Sequence, residues 1–437
     1  MLETGTTGII VLVTLFLMLG AGVHIGVALG LCGIIGTFLA IGPDAAWAHL
    51  ATIPFSTTNS FTLAVIPLFI LMGSLATQAG LTRDLYKAAY NWLGRLPGGL
   101  AMATTLASAA FGAASGSTVV NAAVFTKIAV PHMIKFGYSP RFSVGVVAGS
   151  SVLGMLIPPS LLLILYGILT EQSIGDLFIA AIIPGILLAM VFGFGILLLS
   201  FFWPSFVHSK KENYKPHLEL MKLREFLQKG APLVILIVVV LGGIYGGFFT
   251  PIEAGAIGSF GAVLIGLIKR RLSLATLWGV LVETGYITAA ISFLIIAAQM
   301  YARMLALSGM PSEFGSFVVS SEFSIMSMIL LYILLVVLMG TILDSGSIML
   351  ILVPLMYPIL VTLNIDLIWF GIVTVIAVEV GLLTPPLGIS VFVIKSSLDD
   401  KSITLGDIFI GAFPFAIMMI AVLFLVLAFP QLTTFLL

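Results

Sequence analysis

Runs of about twenty apolar residues, separated by short polar connections, recur along the whole chain, and that is the length an α-helix needs to cross a bilayer. Ten such runs predict crossing segments at roughly 8–21, 24–41, 58–79, 140–169, 175–206, 231–249, 252–268, 276–305, 366–396 and 405–433. Two further stretches have a different pattern. Residues 98–135 and 323–363 each hold two short apolar halves divided by a small polar cluster, Ser115-Gly116-Ser117 in one and Asp344-Ser345-Gly346-Ser347 in the other. Neither half is long enough to span, so both stretches read as re-entrant hairpins that enter and leave on the same side.

Basic residues segregate in the way this crossing count requires. With the hairpins adding no crossing and the amino terminus outside, the inside connections are 80–97, 131–140, 207–230, 269–275 and 395–404. They collect Arg83, Lys87 and Arg95, then Lys135, six basic residues from Lys210 to Lys229, Lys269-Arg270-Arg271, and Lys395 with Lys401. The outside connections at 42–57, 170–174 and 306–322 hold no Lys or Arg, which is the asymmetry of the positive-inside rule.

The same count exposes a repeat. Five crossings and one hairpin precede the basic linker 207–230, and five crossings and one hairpin follow it, so residues 1–206 and 231–437 have opposite orientation. Clusters recur in matching order: Ser115-Gly116-Ser117 then Ile157-Pro158-Pro159-Ser160, and Ser345-Gly346-Ser347 then Thr384-Pro385-Pro386-Leu387, at offsets of 345 − 115 = 230 and 385 − 158 = 227. The expected fold is an all-α polytopic membrane protein of two inverted repeats, each with five crossing segments, one of them broken (140–169 and 366–396), and one hairpin. Inverted repeats with paired broken segments point to a secondary transporter whose site lies near the midplane.

Composition agrees with the pattern and narrows the class. Of 437 residues 60% are hydrophobic and 8% charged, against about 25% charged in soluble domains, which excludes a water-soluble globule. Eighteen Lys and Arg balance eighteen Asp and Glu, so no net field recruits nucleic acid. The lone Cys32 sits in an apolar run and reads as packing. The start Met1-Leu2-Glu3-Thr4 has no basic region ahead of its apolar stretch, so the first segment is expected to stay in the membrane. The chain carries no Gly-rich nucleotide-binding sequence of the P-loop type, and no nucleophile–base or metal-hydrolase arrangement points to an enzyme.

Small polar tips at membrane depth are tolerated only where protein or a cavity satisfies their backbone. Proline at Pro158-Pro159 and Pro385-Pro386 removes donors and interrupts the helix, so two tips and two breaks converge. Their carbonyls and hydroxyls suit an alkali cation, and their helix starts suit an organic anion. Small Ser-Gly clusters also ease helix packing in membranes. Two such clusters in register, each followed about 40 residues later by a Pro-Pro break, favour the paired-site reading.

The first cation site is expected at Ser115, Ser117 and Asn121 with carbonyls near Gly154, and the second at Asp344, Ser345 and Ser347 with Gly381 and Thr384. The anion is expected between the tips, on the Gly116 and Gly346 amides and Ser160. An intramembrane carboxylate is functional by default; Glu379 stands open between this site and a buried hydrogen bond to freed backbone amides. Lys127 reads as snorkelling to the headgroups. Glu253 reads as the acid of a capping box, Thr250-Pro251-Ile252-Glu253.

These residues resemble the large membrane subunit of tripartite ATP-independent periplasmic (TRAP) transporters over nearly the whole chain. The most specific stretches are Ala114-Ser115-Gly116-Ser117, Gly137-Tyr138, Ile157-Pro158-Pro159-Ser160 with Tyr166-Gly167, Ser173-Ile174-Gly175, Gly242-Gly243-Ile244-Tyr245-Gly246-Gly247 through Thr250-Pro251-Ile252-Glu253-Ala254, and Glu379-Val380-Gly381-Leu382-Leu383-Thr384-Pro385-Pro386-Leu387-Gly388. The resemblance implies a bacterial inner-membrane, sodium-driven importer of small organic acids with two or more Na+ ions, a small four-helix membrane partner and a periplasmic substrate-binding protein. It also implies an elevator movement. Residues 98–169 and 323–396 would travel together against segments 24–79 and 231–305, with hinges at 81–97 and 306–322, where Gly94, Pro97, Gly309, Pro311 and Gly315 lie. The family often has an acidic residue where this chain has Asn121, an amide that still ligates a cation without formal charge. A divalent-anion sodium symporter without a binding protein, and a channel or structural subunit, stay open as alternatives; the cargo can be sialic acid, a C4-dicarboxylate, a sugar acid or a sulfonate.

Overall fold

The computed structural model describes residues 6–209, 221–310, 313 and 324–437. Among them the chain is helical throughout, with a single isolated antiparallel bridge from Tyr138 to His208. Eight helical stretches among the described residues are long and apolar enough to cross a membrane, and the protein is a multi-pass membrane protein.

The chain opens with α1 (Thr6–Gly20), α2 (Ile25–Ala40), α3 (Pro43–Thr58), α4 (Val65–Gln78) and α5 (Leu81–Leu93). Helix α3 occupies the stretch read from sequence as the connection 42–57. Proline at its first position and Asp44 in its first turn start it, while its low apolar content hid it from a search for crossing runs. Helix α5 fills most of 80–97 as an amphipathic element whose Leu81, Leu85, Tyr86, Ala88 and Ala89 are buried.

Hairpin one is α6 (Gly99–Ser115) and α7 (Thr118–Lys135), within the expected 98–135. The first broken helix follows as α8 (Pro140–Ser151), the single turn α9 (Leu153–Leu156) and α10 (Leu161–Thr170), then the long α11 (Ile174–Phe202) and a turn, α12 (Pro204–Val207). The second half runs through α13 (Leu223–Tyr245), α14 (Pro251–Ile268) and α15 (Leu274–Leu307). Its α13 begins inside the expected linker 207–230, residues 210–220 of which lie outside the described residues. The capping box at Thr250 and Glu253 is present as read from sequence. Hairpin two is α16 (Ile325–Gly340) and α17 (Ser345–Thr362), followed by the second broken helix, α18 (Leu367–Leu382) and α19 (Ile389–Ser397), then α20 (Leu405–Ala428) and α21 (Gln431–Thr434). Most of the expected hinge 306–322 lies outside the described residues.

Two groups of helices emerge from the packing. In the outer group α2 lies along α15, α4 along α14 and α15, and α13 along α5 and α14. In the inner group each hairpin's first arm packs on its own broken helix, α6 on α8 and α16 on α18. Each second arm meets the other half: α10 packs on α17, and α19 on α7. Helices α11 and α20, left unassigned by the sequence reading, join this inner group, α20 lying along α8 and α11. The centre is α18, in which every residue from Trp369 to Leu382 is buried, as expected of a helix apolar all round. The outer helices keep large apolar side chains exposed, such as Phe260, Trp278 and Phe293, where lipid or another subunit replaces water as their neighbour.

Candidate functional site

The first tip is a two-residue turn. Helix α6 ends on Gly116, whose φ of +61° lies in the left-handed region that favours glycine, and Ser117 caps α7 by accepting from the Val120 amide at 3.4 Å. The second tip is longer, residues 341–344, and Asp344 caps α17 by accepting from the Ser347 amide at 3.0 Å and from the Ser347 hydroxyl. This corrects the register between the halves. Ser345-Gly346-Ser347 is the first turn of α17, not the tip, so the partner of Ser117 is Asp344 at an offset of 344 − 117 = 227. The same offset relates Pro131 to Pro358 within the second arms, the caps Ser139 and Asp366, Gly154 and Gly381, and the cis bonds Pro158-Pro159 and Pro385-Pro386.

Each tip is held against its own break. The Leu161 amide, freed by the prolines, donates to the Gly116 carbonyl at 3.2 Å; the Leu387 and Gly388 amides donate to the Thr341 carbonyl at 3.1 and 3.0 Å. Above each tip a glycine pair lets two helices touch. A β-carbon on Gly112 would lie 2.5 Å from the Gly154 Cα, and one on Gly381 would lie 2.7 Å from the Gly340 Cα.

Around Gly154 the structure gathers two of the other expected first-site residues: the Asn121 amide nitrogen and the Ser117 carbonyl lie 3.0 and 3.2 Å from where its β-carbon would stand. Asn121 is fully buried. Its oxygen accepts from the Ser108 hydroxyl at 2.9 Å, and its nitrogen donates to the Ser108 and Ser151 carbonyls at 3.0 and 3.4 Å, so it ties α6, α7 and α8 together. Ser115 is buried and its hydroxyl has no hydrogen-bond partner. The Gly116 amide donates to Gly112 at 2.7 Å, and Ser160 caps α10 by accepting from Leu163 at 3.2 Å while donating to the Met155 carbonyl. At the second tip Ser345 and Ser347 are buried and Asp344 is exposed. Thr384 donates to the Val380 carbonyl at 2.7 Å, and Gly346 stands in the first turn of α17, where helix amides lack an intrahelical acceptor.

Beside the tips two hydrogen bonds cross between the halves, and both start from the first residue of a second arm. Thr118 donates to Glu379 Oε2 at 2.9 Å, and Ser345 donates to Met155 Sδ at 3.4 Å. Glu379 is buried, and its Oε1 has no hydrogen-bond partner. The two breaks differ in access: Pro158, Pro159 and Ser160 are buried, whereas Pro385, Pro386 and Leu387 are exposed, as is Ile342 on the second tip. The site is sealed beside the first tip and open beside the second.

A hydroxyl whose proton is given to a fixed acceptor keeps lone pairs for a cation, and Ser345, Ser347 and Thr384 all stand in that condition. With the orphaned oxygens of Ser115 at the end of α6 and Glu379 in the last turn of α18, the centre offers hard oxygen donors at helix ends that favour a cation, beside the start of α17, which favours negative charge. The family profile described as "Tripartite ATP-independent periplasmic transporter, DctM component" matches residues 12–432. The chain belongs to this family.

Relatives of this DctM-family chain include the C4-dicarboxylate TRAP transporter large permease protein DctM of Pseudomonas aeruginosa, 33% identical over 92% of both chains. The isethionate TRAP transporter permease protein DctMQ of Oleidesulfovibrio alaskensis is 31% identical over 96% of this chain and 64% of its own length. Among solved structures, the YdaH transporter of Alcanivorax borkumensis shares the fold, with a TM-score of 0.64 over 90% of both chains at 16% identity. Sequence reasoning missed Thr118 as the partner of Glu379, and Gly112 and Gly340 as the glycines opposite Gly154 and Gly381. The glycines carried a signal, since each lies within four residues of a tip; Thr118 carried none, because 261 positions separate it from Glu379.

Proposed function

We propose that this protein is the large subunit of a sodium-coupled importer of small organic anions in the bacterial inner membrane. The observation that carries the reading is the crossed pair of contacts, Thr118 to Glu379 and Ser345 to Met155, which binds the two tips and two breaks into one centre. The repeats are inverted, so the two second arms enter that centre from opposite faces and each completes the other half's site.

In this reading one Na+ sits with Ser115, Ser117, Asn121 and carbonyls near Gly154, and another with Asp344, Ser345, Ser347, Gly381 and Thr384. The anion lies at the start of α17 on the Gly346 amide, with Gly116 and Ser160 shaping the opposite wall. The relatives named above carry a C4-dicarboxylate and isethionate in their names, a carboxylate and a sulfonate, and both suit backbone amides and a helix start. The inner group of helices moves as one body past the outer group, which keeps the ligands assembled during transfer. A small four-helix membrane subunit covers part of the outer group, and a periplasmic binding protein delivers cargo.

The test is uptake into proteoliposomes holding both membrane subunits, with cargo first identified by thermal shift of the binding protein. Uptake should saturate, require an inward sodium gradient and require the binding protein. Ser115→Ala and Ser345→Ala should each weaken the sodium dependence. Uptake independent of sodium, or unchanged sodium affinity in both variants, would overturn the reading; uptake without the binding protein would favour an autonomous divalent-anion symporter.

A further inference from the structure

A cavity of about 560 Å³ opens where α5, α13 and α14 meet, next to the basic connection 269–275 and away from the tips. One end is cationic. Lys229, Lys269 and Arg271 line it together with a single carboxylate, Asp84. Lys269 Nζ lies 2.6 Å from Asp84 Oδ2 and Arg271 Nη1 lies 2.8 Å from the same oxygen, so one negative charge is shared by two cations. Lys229 pairs only with Glu225, which is half exposed. The cavity's end therefore keeps excess positive charge, and donors on Lys229 and Lys269 stay available to an anion.

The other end is apolar. Pro232 and Ile235 of α13 face Ile265 and Ile268 of α14 across the cavity, and Ile235 and Ile268 are exposed at 57% and 73%. In a bilayer such side chains meet acyl chains. A groove that is basic at the membrane surface and apolar toward the bilayer interior matches an anionic phospholipid and neither part of it alone: a free phosphate leaves the apolar wall empty, and a neutral lipid leaves the cations unmatched.

We propose that this groove is a binding site for an anionic phospholipid, its phosphate on Lys229 and Lys269 and its chain against Ile235, Ile265 and Ile268. The lipid sits where α5, the arm leading into hairpin one, joins the outer helices.

The test is native mass spectrometry of the full chain purified with its small membrane partner and titrated with dioleoyl phosphatidylglycerol, dioleoyl phosphatidylcholine or inorganic phosphate. Phosphatidylglycerol should be retained at least about tenfold better than phosphatidylcholine. Lys229→Gln should cut that retention about fivefold, as each basic residue near the surface contributes roughly that factor, and Lys269→Gln should do the same. Because Lys269 also holds Asp84, Lys229→Gln is the decisive charge variant, and Ile268→Trp, which fills the apolar end and leaves every charge in place, should reduce retention as well. Equal retention of the two lipids, retention unaffected by both Lys229→Gln and Ile268→Trp, or displacement of phosphatidylglycerol by millimolar phosphate would overturn the proposal. Binding seen only after removal of the small subunit would assign the groove to that subunit instead.

Discussion

Glu379 shows how a single side chain joins the two halves. Its carboxylate is buried, with one donor, the Thr118 hydroxyl, on Oε2. Removing that donor leaves a buried polar oxygen unsatisfied, a loss of about 1–3 kcal/mol. Thr118→Val, which keeps the shape, should lower uptake at least tenfold, and Thr118→Ser should restore most of it; equal uptake by Thr118→Val and wild type would deny the contact any role. The glycines divide in the same way between packing and ligand. A β-carbon on Gly381 would press 2.7 Å from backbone that cannot yield cheaply, while one on Gly346 would meet only Asp344 Oδ2 at 3.2 Å. Gly381→Ala should therefore lower the melting temperature by several degrees through overpacking of about 1–3 kcal/mol, whereas Gly346→Leu should melt near wild type and fail to transport. A folded, active Gly346→Leu would remove Gly346 from the anion site. The candidate residues themselves were legible because Ser, Gly and Pro stand out within apolar runs. What each oxygen does was not: Asn121 reads as a ligand from its type and position, and only its packing against Ser108 and Ser151 reveals that it also fastens three helices.

Among the elements, seven of the ten expected crossing segments are long and apolar enough to span, because lipid forces a spanning helix to announce itself; Ser345–Thr362, expected from sequence to be too short, also reaches that length, and the segments at 8–21, 24–41 and 366–396 form shorter helices. Helices α3 and α5 were not readable from apolar run length, since neither needs a continuous apolar stretch: α3 carries His49, Pro54 and a run of small polar residues, and α5 buries only one face. The register of hairpin two was misjudged because Ser-Gly-Ser recurs in both hairpins, yet in α17 it lies within the helix, where Asp344 takes over the capping that Ser117 performs in hairpin one. Helix α5 is fixed to the outer group by Asp84, which lies against Lys269 and Arg271. Burial raises the Asp84 pKa, but the hydrogen bonds and charges of these two cations outweigh it and hold the carboxyl below its usual value. A depressed carboxylate stabilises the fold above the unfolded value of about 3.9, and that stabilisation fades as pH falls through the folded value. Asp84→Asn should lower the melting temperature at pH 7 by a few degrees and flatten the acid limb of the stability profile below about pH 4. Identical profiles for variant and wild type would show that the bridge contributes nothing.

At the scale of the whole molecule, the proposed transport requires the inner group to slide past the outer group. The groups meet where α5 and α4 pack on α6 and where α15 packs on α17; on α4 the surfaces are small or apolar, Gly73 meeting the backbone of Ala114 and Ser115 beside the first tip and Phe69 meeting Phe178 of α11 edge to face with ring centroids 6.1 Å apart. Sequence symmetry suggested which segments travel together, but it could not place α11 and α20, whose apolar faces fit either body until their packing on the inner group is seen. The most direct measurement uses a Cys32→Ala background, in which Phe69→Cys and Phe178→Cys are joined by a short, reducible cross-linker in proteoliposomes with sodium, cargo and binding protein present. Cross-linking should stop uptake and reduction should restore it, because the inner group can no longer travel. Undiminished uptake by fully cross-linked protein would contradict the movement on which the proposed transport cycle depends.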